Sequence, residues 1–284
     1  MGIFSDILLT ADFDRTLTAP DTSIPQRNIE AIRYFMDNGG AFTVNTGRSL
    51  AMAHLFLDRV PVNAPLLLFN GGAAYDLEKG EFTFCHTIDV DRKEALEFAL
   101  ERFPDMIVEV QGAEAHYGFR DIPVWYDFNK ANNCACRLVS PDDDMGPFIK
   151  WTVFGPLLDG SVSGLFTGTE EEIRFCDEVE ATLRQTYGDK MCILRDAPRI
   201  IDIQAPGCSK GLSARQLQAQ LGRKILVCIG DEQNDLSMMD AADYSYCPAD
   251  AAIADRYENV CGCAEGAVAD VIYKKIPQIL GIET

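Results

Sequence analysis

Several stretches of this chain stay apolar for four or five positions and then stop on a polar or acidic residue. Leu8 to Ala11 stops at Asp12, the run through Val44 at Thr46, Leu66 to Phe69 at Asn70, and Ile225 to Ile229 at Gly230-Asp231. A short continuous apolar run bounded by turn residues fits a strand buried on both faces, and such strands alternating with helical segments predict a parallel sheet. Residues 25–38 supply one of those helices. Ile29, Ile32, Phe35 and Met36 recur at helical spacing, with Pro25 at the start and Gly39 at the stop. Leu212 to Leu217 reads as another. In a parallel sheet the strand ends at Asp12, Thr46, Asn70 and Asp231 gather along one edge, where open α/β sheets bind ligands.

Between about residues 84 and 205 the pattern changes. Met106 to Val110 and Trp151 to Phe154 alternate like half-buried strands, while residues 91–103 and 170–187 read as helices, the second opened by a Thr169/Glu172 capping box. Trp125, Tyr126 and Arg137 read first as core or surface residues and second as specificity residues. The run Asp142-Asp143-Asp144 is a solvated loop. No repeat or low-complexity tract interrupts the chain.

Composition narrows the class. At 284 residues and 47% hydrophobic content the chain can bury two domains' worth of core. A net charge of -19 disfavours a nucleic-acid binder, which needs a basic face, so any phosphate must be attracted by a local cluster. No run approaches the roughly 20 apolar residues of a spanning helix. Met1 to Asp6 lacks the positive segment of a secretory signal, so a cytoplasmic protein without a membrane partner is expected. The ten cysteines lie singly or in Cys-x-Cys pairs (Cys134 with Cys136, Cys261 with Cys263) and read as free thiols, a zinc site on the two pairs being the alternative. His54, His86 and His116 share no metal-ligand spacing and read as structural.

The chemistry sits at the strand ends. Asp12 and Asp14 are one residue apart, and two carboxylates held together repel until a divalent cation or a shared proton relieves them. The pair suggests Mg2+, with one carboxylate as nucleophile and the other as acid/base. Thr46-Gly47-Arg48 adds a hydroxyl and a turn. Ser209-Lys210-Gly211 places a lysine ahead of a helix. Asp231 and Asp235 stand one helical turn apart and share a face if a helix begins there; the alternative for Asp231 is a helix N-cap.

In this order, Asp12-Phe13-Asp14-Arg15-Thr16-Leu17-Thr18, Thr46-Gly47-Arg48, Ser209-Lys210-Gly211 and Gly230-Asp231-Glu232-Gln233-Asn234-Asp235 with Met238-Met239 resemble the haloacid dehalogenase-like hydrolases, and within them the Cof-type phosphatases of subfamily IIB. Phe69-Asn70-Gly71-Gly72 and Ala241-Ala242-Asp243 fit as well. The resemblance covers both ends of the chain and leaves the middle to a variable insert. It implies a Rossmann-like parallel-sheet core over residues 1–83 and 206–284, with an inserted α/β cap domain over 84–205. By the same resemblance Asp12 attacks phosphorus to form an aspartyl-phosphate, Asp14 is the acid/base, and Asp12, the Asp14 carbonyl and Asp231 hold Mg2+. Thr46, Lys210 and Asn234 bind phosphate, with Asp235 and Gly47 supporting them from behind. Arg48 is a substrate contact or a solvated arginine; Asn70 is a substrate contact or the cap of its glycine turn.

The expected activity is hydrolysis of a small phosphorylated metabolite, a sugar phosphate or related monoester, by a monomer or small homo-oligomer. The alternatives are a phosphomutase of the phosphomannomutase type and a non-catalytic phosphate sensor. One residue departs from the family's pattern: Arg15 stands where glycine is usual. Ordinary dihedrals are expected there, with the guanidinium toward the cleft mouth or the cap.

Overall fold

The computed structural model describes residues 2–155 and 167–282, for Asp196 the backbone alone; residues 156–166 of the expected insert lie outside the description. In chain order the strands are β1 (Ile7–Ala11), β2 (Ala41–Val44), β3 (Leu66–Leu68), β4 (Ala73–Asp76), β5 (Glu81–Cys85), β6 (Ile107–Gln111), β7 (His116–Gly118), β8 (Cys136–Leu138), β9 (Lys150–Phe154), β10 (Cys192–Ala197), β11 (Ile200–Gln204), β12 (Ile225–Ile229), β13 (Tyr244–Pro248) and β14 (Glu258–Val260). The chain divides into two compact units: Met1–Gly47, Phe56–Phe84 and Ser209–Thr284 form the first, Arg48–Leu55 and Cys85–Cys208 the second.

The first unit is an α/β layer structure on a five-stranded parallel sheet of order β14-β13-β12-β1-β2. Every residue of β1 is buried, as a strand covered on both faces requires. Its register sets the site. Ala11 pairs with Ile229 on one side and Val44 on the other. The ladder runs one step further, Asp12 N donating to Ile229 O at 3.0 Å and Asn45 N to Ala11 O at 2.9 Å. Asp12, Thr46 and Asp231 therefore leave the sheet within a residue or two of the same level. Helix Gln26–Asp37 lays Ile29, Ile32 and Phe35 on the unit's core and stops at Gly39, whose φ of 90° only glycine adopts at no steric cost. Each such side chain contributes about 1.5–3 kcal/mol by leaving water.

One strand differs from expectation. β3 touches the parallel sheet through a single bridge, Asn45 to Leu67, and otherwise pairs antiparallel with β4 in a three-stranded sheet β3-β4-β5. A three-leucine strand carries no signal for either direction, because both kinds of pairing bury it equally.

The second unit is a six-stranded sheet of order β10-β11-β9-β6-β7-β8, antiparallel except at β7-β8. Helices Arg92–Arg102 and Glu170–Tyr187 sit with one core cluster, where Val108, Val110, Trp151, Val153, Ile201 and Ile203 meet Leu96, Ala99, Val179 and Leu183. The Thr169/Glu172 capping box opens the longer helix as the sequence predicts. The alternate positions carry polar groups that are also buried. Glu109, Thr152 and Asp202 stand in register across three strands. Lys150 Nζ lies 2.5 Å from Asp202 Oδ2, and Thr152 Oγ1 donates to Asp202 Oδ1 at 3.0 Å.

Glu109 has several partners on this face. It accepts from Trp125 Nε1 at 2.7 Å, Asn129 Nδ2 at 3.2 Å and Gln111 Nε2 at 3.3 Å, and pairs with His116 Nδ1 at 3.2 Å. Burial alone would raise the Glu109 carboxyl, but His116 and these donors hold it below its usual value; burial alone would lower His116, but Glu109 pushes it up to about 10. His116 Nε2 also meets Ser49 Oγ at 2.8 Å.

Removing one member of a buried pair costs about 3–5 kcal/mol. Glu109→Gln is therefore expected to lower the stability of the second unit by about 3 kcal/mol, read by tryptophan fluorescence, since both tryptophans, Trp125 and Trp151, belong to that unit. A raised histidine stabilises fully below 6.5 and loses this as pH climbs toward 10, while a lowered glutamate stabilises above 4.5. The difference between wild type and variant should thus be largest between pH 5 and 6.5 and shrink near pH 10; a difference that grows with pH would refute the pairing.

Candidate active site

β1 ends at Asp12, and residues Phe13–Leu17 form a tight turn that brings the chain back on itself, Thr18 N donating to Phe13 O at 3.1 Å. Asn28 clamps this turn from the neighbouring helix, its Nδ2 donating to Leu17 O at 3.2 Å while its Oδ1 accepts from Ala269 N at 2.9 Å. The expectation of ordinary dihedrals at Arg15 is wrong: its φ is 58° and ψ 7°. The turn needs a left-handed residue between Asp14 and Thr16, and Arg15 N donating to Thr18 Oγ1 at 3.0 Å holds it there. Arg15 Nε stands 3.8 Å from Asp231 Oδ2.

Lys210 is the centre of the arrangement. Ser209 caps its helix, Oγ accepting from Leu212 N at 3.2 Å. A cation in a helix's first turn faces the positive end of the dipole, and here the side chain is also fully buried. Two carboxylates compensate: Nζ donates to Asp12 Oδ1 at 2.6 Å and to Asp235 Oδ1 at 2.7 Å. Burial would depress the ammonium, but Asp12 and Asp235 together raise it above its usual value. Asp235 Oδ2 meanwhile accepts from the backbone N of Asp231 at 2.9 Å and of Glu232 at 3.1 Å. Asp235 thus ties the lysine to the acidic loop, and the N-cap of that loop's 3-10 turn is Glu232 rather than Asp231.

Asp231 is left facing the cluster, its Oδ1 accepting from Thr16 Oγ1 at 3.1 Å. Burial, then Asp235, pushes its carboxyl up to about 7 against the pull of Thr16. Asp12 is raised well above the ordinary carboxylate value, chiefly by burial, with Lys210 opposing and Asp235, Asp14 and Asp231 adding. Asp14 is half-buried on the turn.

Thr46, Gly47 and Asn70 lie together beside this cluster in the same unit. Asn70 N donates to Thr46 O at 3.1 Å, and a Cβ on Gly47 would meet Asn70 Oδ1 at 2.7 Å. Gly71 has to be glycine, because its φ is 89° and a Cβ would strike Ser209 O at 2.1 Å, just ahead of Lys210. Asn45, which the sequence reading passed over, donates from Nδ2 to Lys210 O at 2.9 Å; a polar residue inside an otherwise apolar strand end was its signal. Asn234 is exposed on its turn, and half-buried Arg48 falls in the second unit.

Oxygen atoms of Asp12, Asp231 and Asp235 lie within 4.8 Å of one another, the one such group of ligand-bearing residues among those described. The donor set is hard oxygen, which suits Mg2+. Asp235 uses both oxygens on Lys210 and the backbone, so Asp12 and Asp231 are the carboxylates left to face a cation.

The sequence profile of the haloacid dehalogenase-like hydrolases matches residues 9–145 and 157–265. An uncharacterised hydrolase of Schizosaccharomyces pombe is 23% identical, covering 93% of this chain and 89% of its own. The 5-amino-6-(5-phospho-D-ribitylamino)uracil phosphatase of Bacillus subtilis is 21% identical over 83% of each chain. In structure, a haloacid dehalogenase subclass IIB sugar phosphatase superposes with a TM-score of 0.72 at 19% identity, covering 97% of this chain and 99% of its own. No helix among the described residues is long and apolar enough to cross a membrane.

A carboxyl raised in the folded state binds its proton more tightly there than when unfolded. Cation-free protein is therefore expected to gain stability from Asp231 as pH falls from about 7 toward 3.8. Relative to Asp231→Asn in EDTA, wild type should improve by about 2 kcal/mol between pH 8 and pH 5 in denaturant titrations. A gap that stays constant over that range would contradict the environment described for Asp231.

Proposed function

The chain belongs to the haloacid dehalogenase-like hydrolases, and from that membership we propose that it is a Mg2+-dependent phosphatase of a small phosphorylated metabolite, with Asp12 as nucleophile. The observation that carries the proposal is the Lys210 ammonium held at 2.6 Å from Asp12 and 2.7 Å from Asp235, beside carboxylate oxygens gathered within 4.8 Å. A site of this kind concentrates charge where a phosphoryl group needs it.

In the first step an Asp12 oxygen attacks phosphorus in line, the bond to the leaving oxygen breaks, and Asp14 gives that oxygen a proton. In the second, Asp14 takes a proton from water, the water oxygen attacks phosphorus, and the Asp12–phosphorus bond breaks. An ammonium has three donors. Two of Lys210's are taken by Asp12 and Asp235; the third would bind the transferring phosphoryl oxygens, joined there by the Thr46 hydroxyl. Asn234 would join them if its exposed side chain turns inward on substrate. Mg2+ would sit on Asp12, Asp231 and the Asp14 carbonyl, neutralising charge on the transferring group. In this reading the second unit is the inserted cap domain.

A sugar phosphate or related monoester is the substrate class that the relatives support, one being a sugar phosphatase and another acting on a phosphoribityl compound. Released inorganic phosphate, measured over a panel of sugar, nucleotide and cofactor phosphates with Mg2+, tests the reading. Bisphosphate-dependent isomerisation without phosphate release would replace it with a mutase, and inactivity on every ester would leave a sensor.

Asp12→Asn should reduce turnover to background, and Asp14→Ala should lower kcat about 10²- to 10⁴-fold; near-normal turnover in either would refute its role. Mg2+ at about 100 times its Kd should stabilise wild type by about 2.7 kcal/mol, an effect that Asp231→Asn should remove. A melting midpoint indifferent to Mg2+ would refute the cation site.

A further inference from the structure

Arg15 holds a left-handed backbone, φ 58° and ψ 7°, between the proposed acid/base Asp14 and the site threonine Thr16. That conformation costs an L-residue about 1–2 kcal/mol, which glycine would not incur. The side chain returns little of this to stability. It is 59% exposed, and its one ion-pair partner among the described residues is Asp231, at 3.8 Å. An exposed pair at that range contributes about 0–1 kcal/mol. Strain that packing does not offset, kept beside a reactive group, points to use in the reaction.

The electrostatic setting says what the use is. The Lys210 ammonium is paired with Asp12 and Asp235, and Asp14 and Asp231 add further negative charge beside Asp12, within a chain of net charge -19. That acidic field opposes a second negative charge on a substrate unless a cation meets it. The phosphoryl-binding groups Lys210 and Thr46 are buried, whereas Arg15 adjoins the residue that protonates the leaving oxygen and stands in solvent. A guanidinium is a planar fork that matches a carboxylate or phosphate through two donors at once.

Resting on the phosphatase reading above, we propose that Arg15 is a specificity-determining residue that binds a second anionic group, carboxylate or phosphate, on the leaving portion of the substrate. Selectivity is then set partly by the core's own catalytic turn, at the one position where this chain departs from the family's usual glycine.

The test compares 3-phosphoglycerate with glycerol 3-phosphate, and fructose 1,6-bisphosphate with fructose 6-phosphate, on wild type, Arg15→Gly and Arg15→Lys. Wild type should favour the dianionic-site member of at least one pair by about tenfold in kcat/KM. Arg15→Gly should bring that ratio within about threefold, the loss falling on KM, and Arg15→Lys should lie between. The pair that shows the effect tells carboxylate from phosphate. Calorimetric titration of the same esters into Asp12→Asn and Asp12→Asn/Arg15→Gly reads the preference without turnover. Phosphate released from no ester by wild type would sink the phosphatase reading; equal ratios or equal affinities with and without Arg15 would sink the Arg15 proposal. A change in Mg2+ affinity on Arg15→Gly with discrimination intact would also overturn it, making Arg15 a brace for Asp231. The melting midpoint of Arg15→Gly should equal or exceed that of wild type, which separates a binding loss from misfolding.

Discussion

The ammonium of Lys210, buried between Asp12 and Asp235, is the interaction on which the rest of the first unit turns. A buried charge without partners would cost several kcal/mol, so neither the lysine nor the carboxylates can occupy this place alone. Each arrives from a different part of the chain: Asp12 from the end of β1, Lys210 from the start of a helix, Asp235 from the turn after β12. The parallel sheet makes the meeting possible by releasing β1, β2 and β12 at one level. The cluster in turn fixes the loops, because Asp235 grips two backbone N–H groups with the oxygen that Lys210 leaves open. Charge, loop conformation and site geometry are one arrangement.

The second unit solves a related problem differently. Its sheet buries an apolar face against two helices and a polar face of paired side chains, Lys150 with Asp202 and Glu109 with His116. Further polar side chains join these pairs, Thr152 at Asp202, Trp125 and Asn129 at Glu109, and Ser49 at His116. In the first unit oxygens of Asp12, Asp231 and Asp235 gather within 4.8 Å, and burial first, then the neighbouring carboxylates, raises the carboxyls of Asp12 and Asp231. In the second unit opposite charges are paired, whereas in the first Asp12 and Asp235 share one lysine.

Much of this was legible in the residues. Apolar runs ending in Asp12, Thr46 and Asp231 predicted the strands and the edge where they meet, and Pro25, Gly39, Thr169 and Glu172 marked helix ends that the structure keeps. What escaped depends on groups distant in sequence. Arg15 is left-handed because Thr18 and the clamp of Asn28 close the turn around it, and local sterics alone favour the opposite. β3 turns antiparallel through partners that three leucines do not specify. The buried polar face of the second unit hides behind an alternation that reads, by pattern alone, as a solvated one.

On the proposed mechanism, a carboxylate oxygen of Asp12 is the atom that receives phosphorus. Rapid quenching of the protein with a labelled phosphomonoester and Mg2+, followed by peptide mass spectrometry, tests it most directly. The expected result is transient phosphate on the peptide carrying Asp12, located at Asp12 and absent in Asp12→Asn. Steady release of phosphate with no label on Asp12 at any quench time would contradict it.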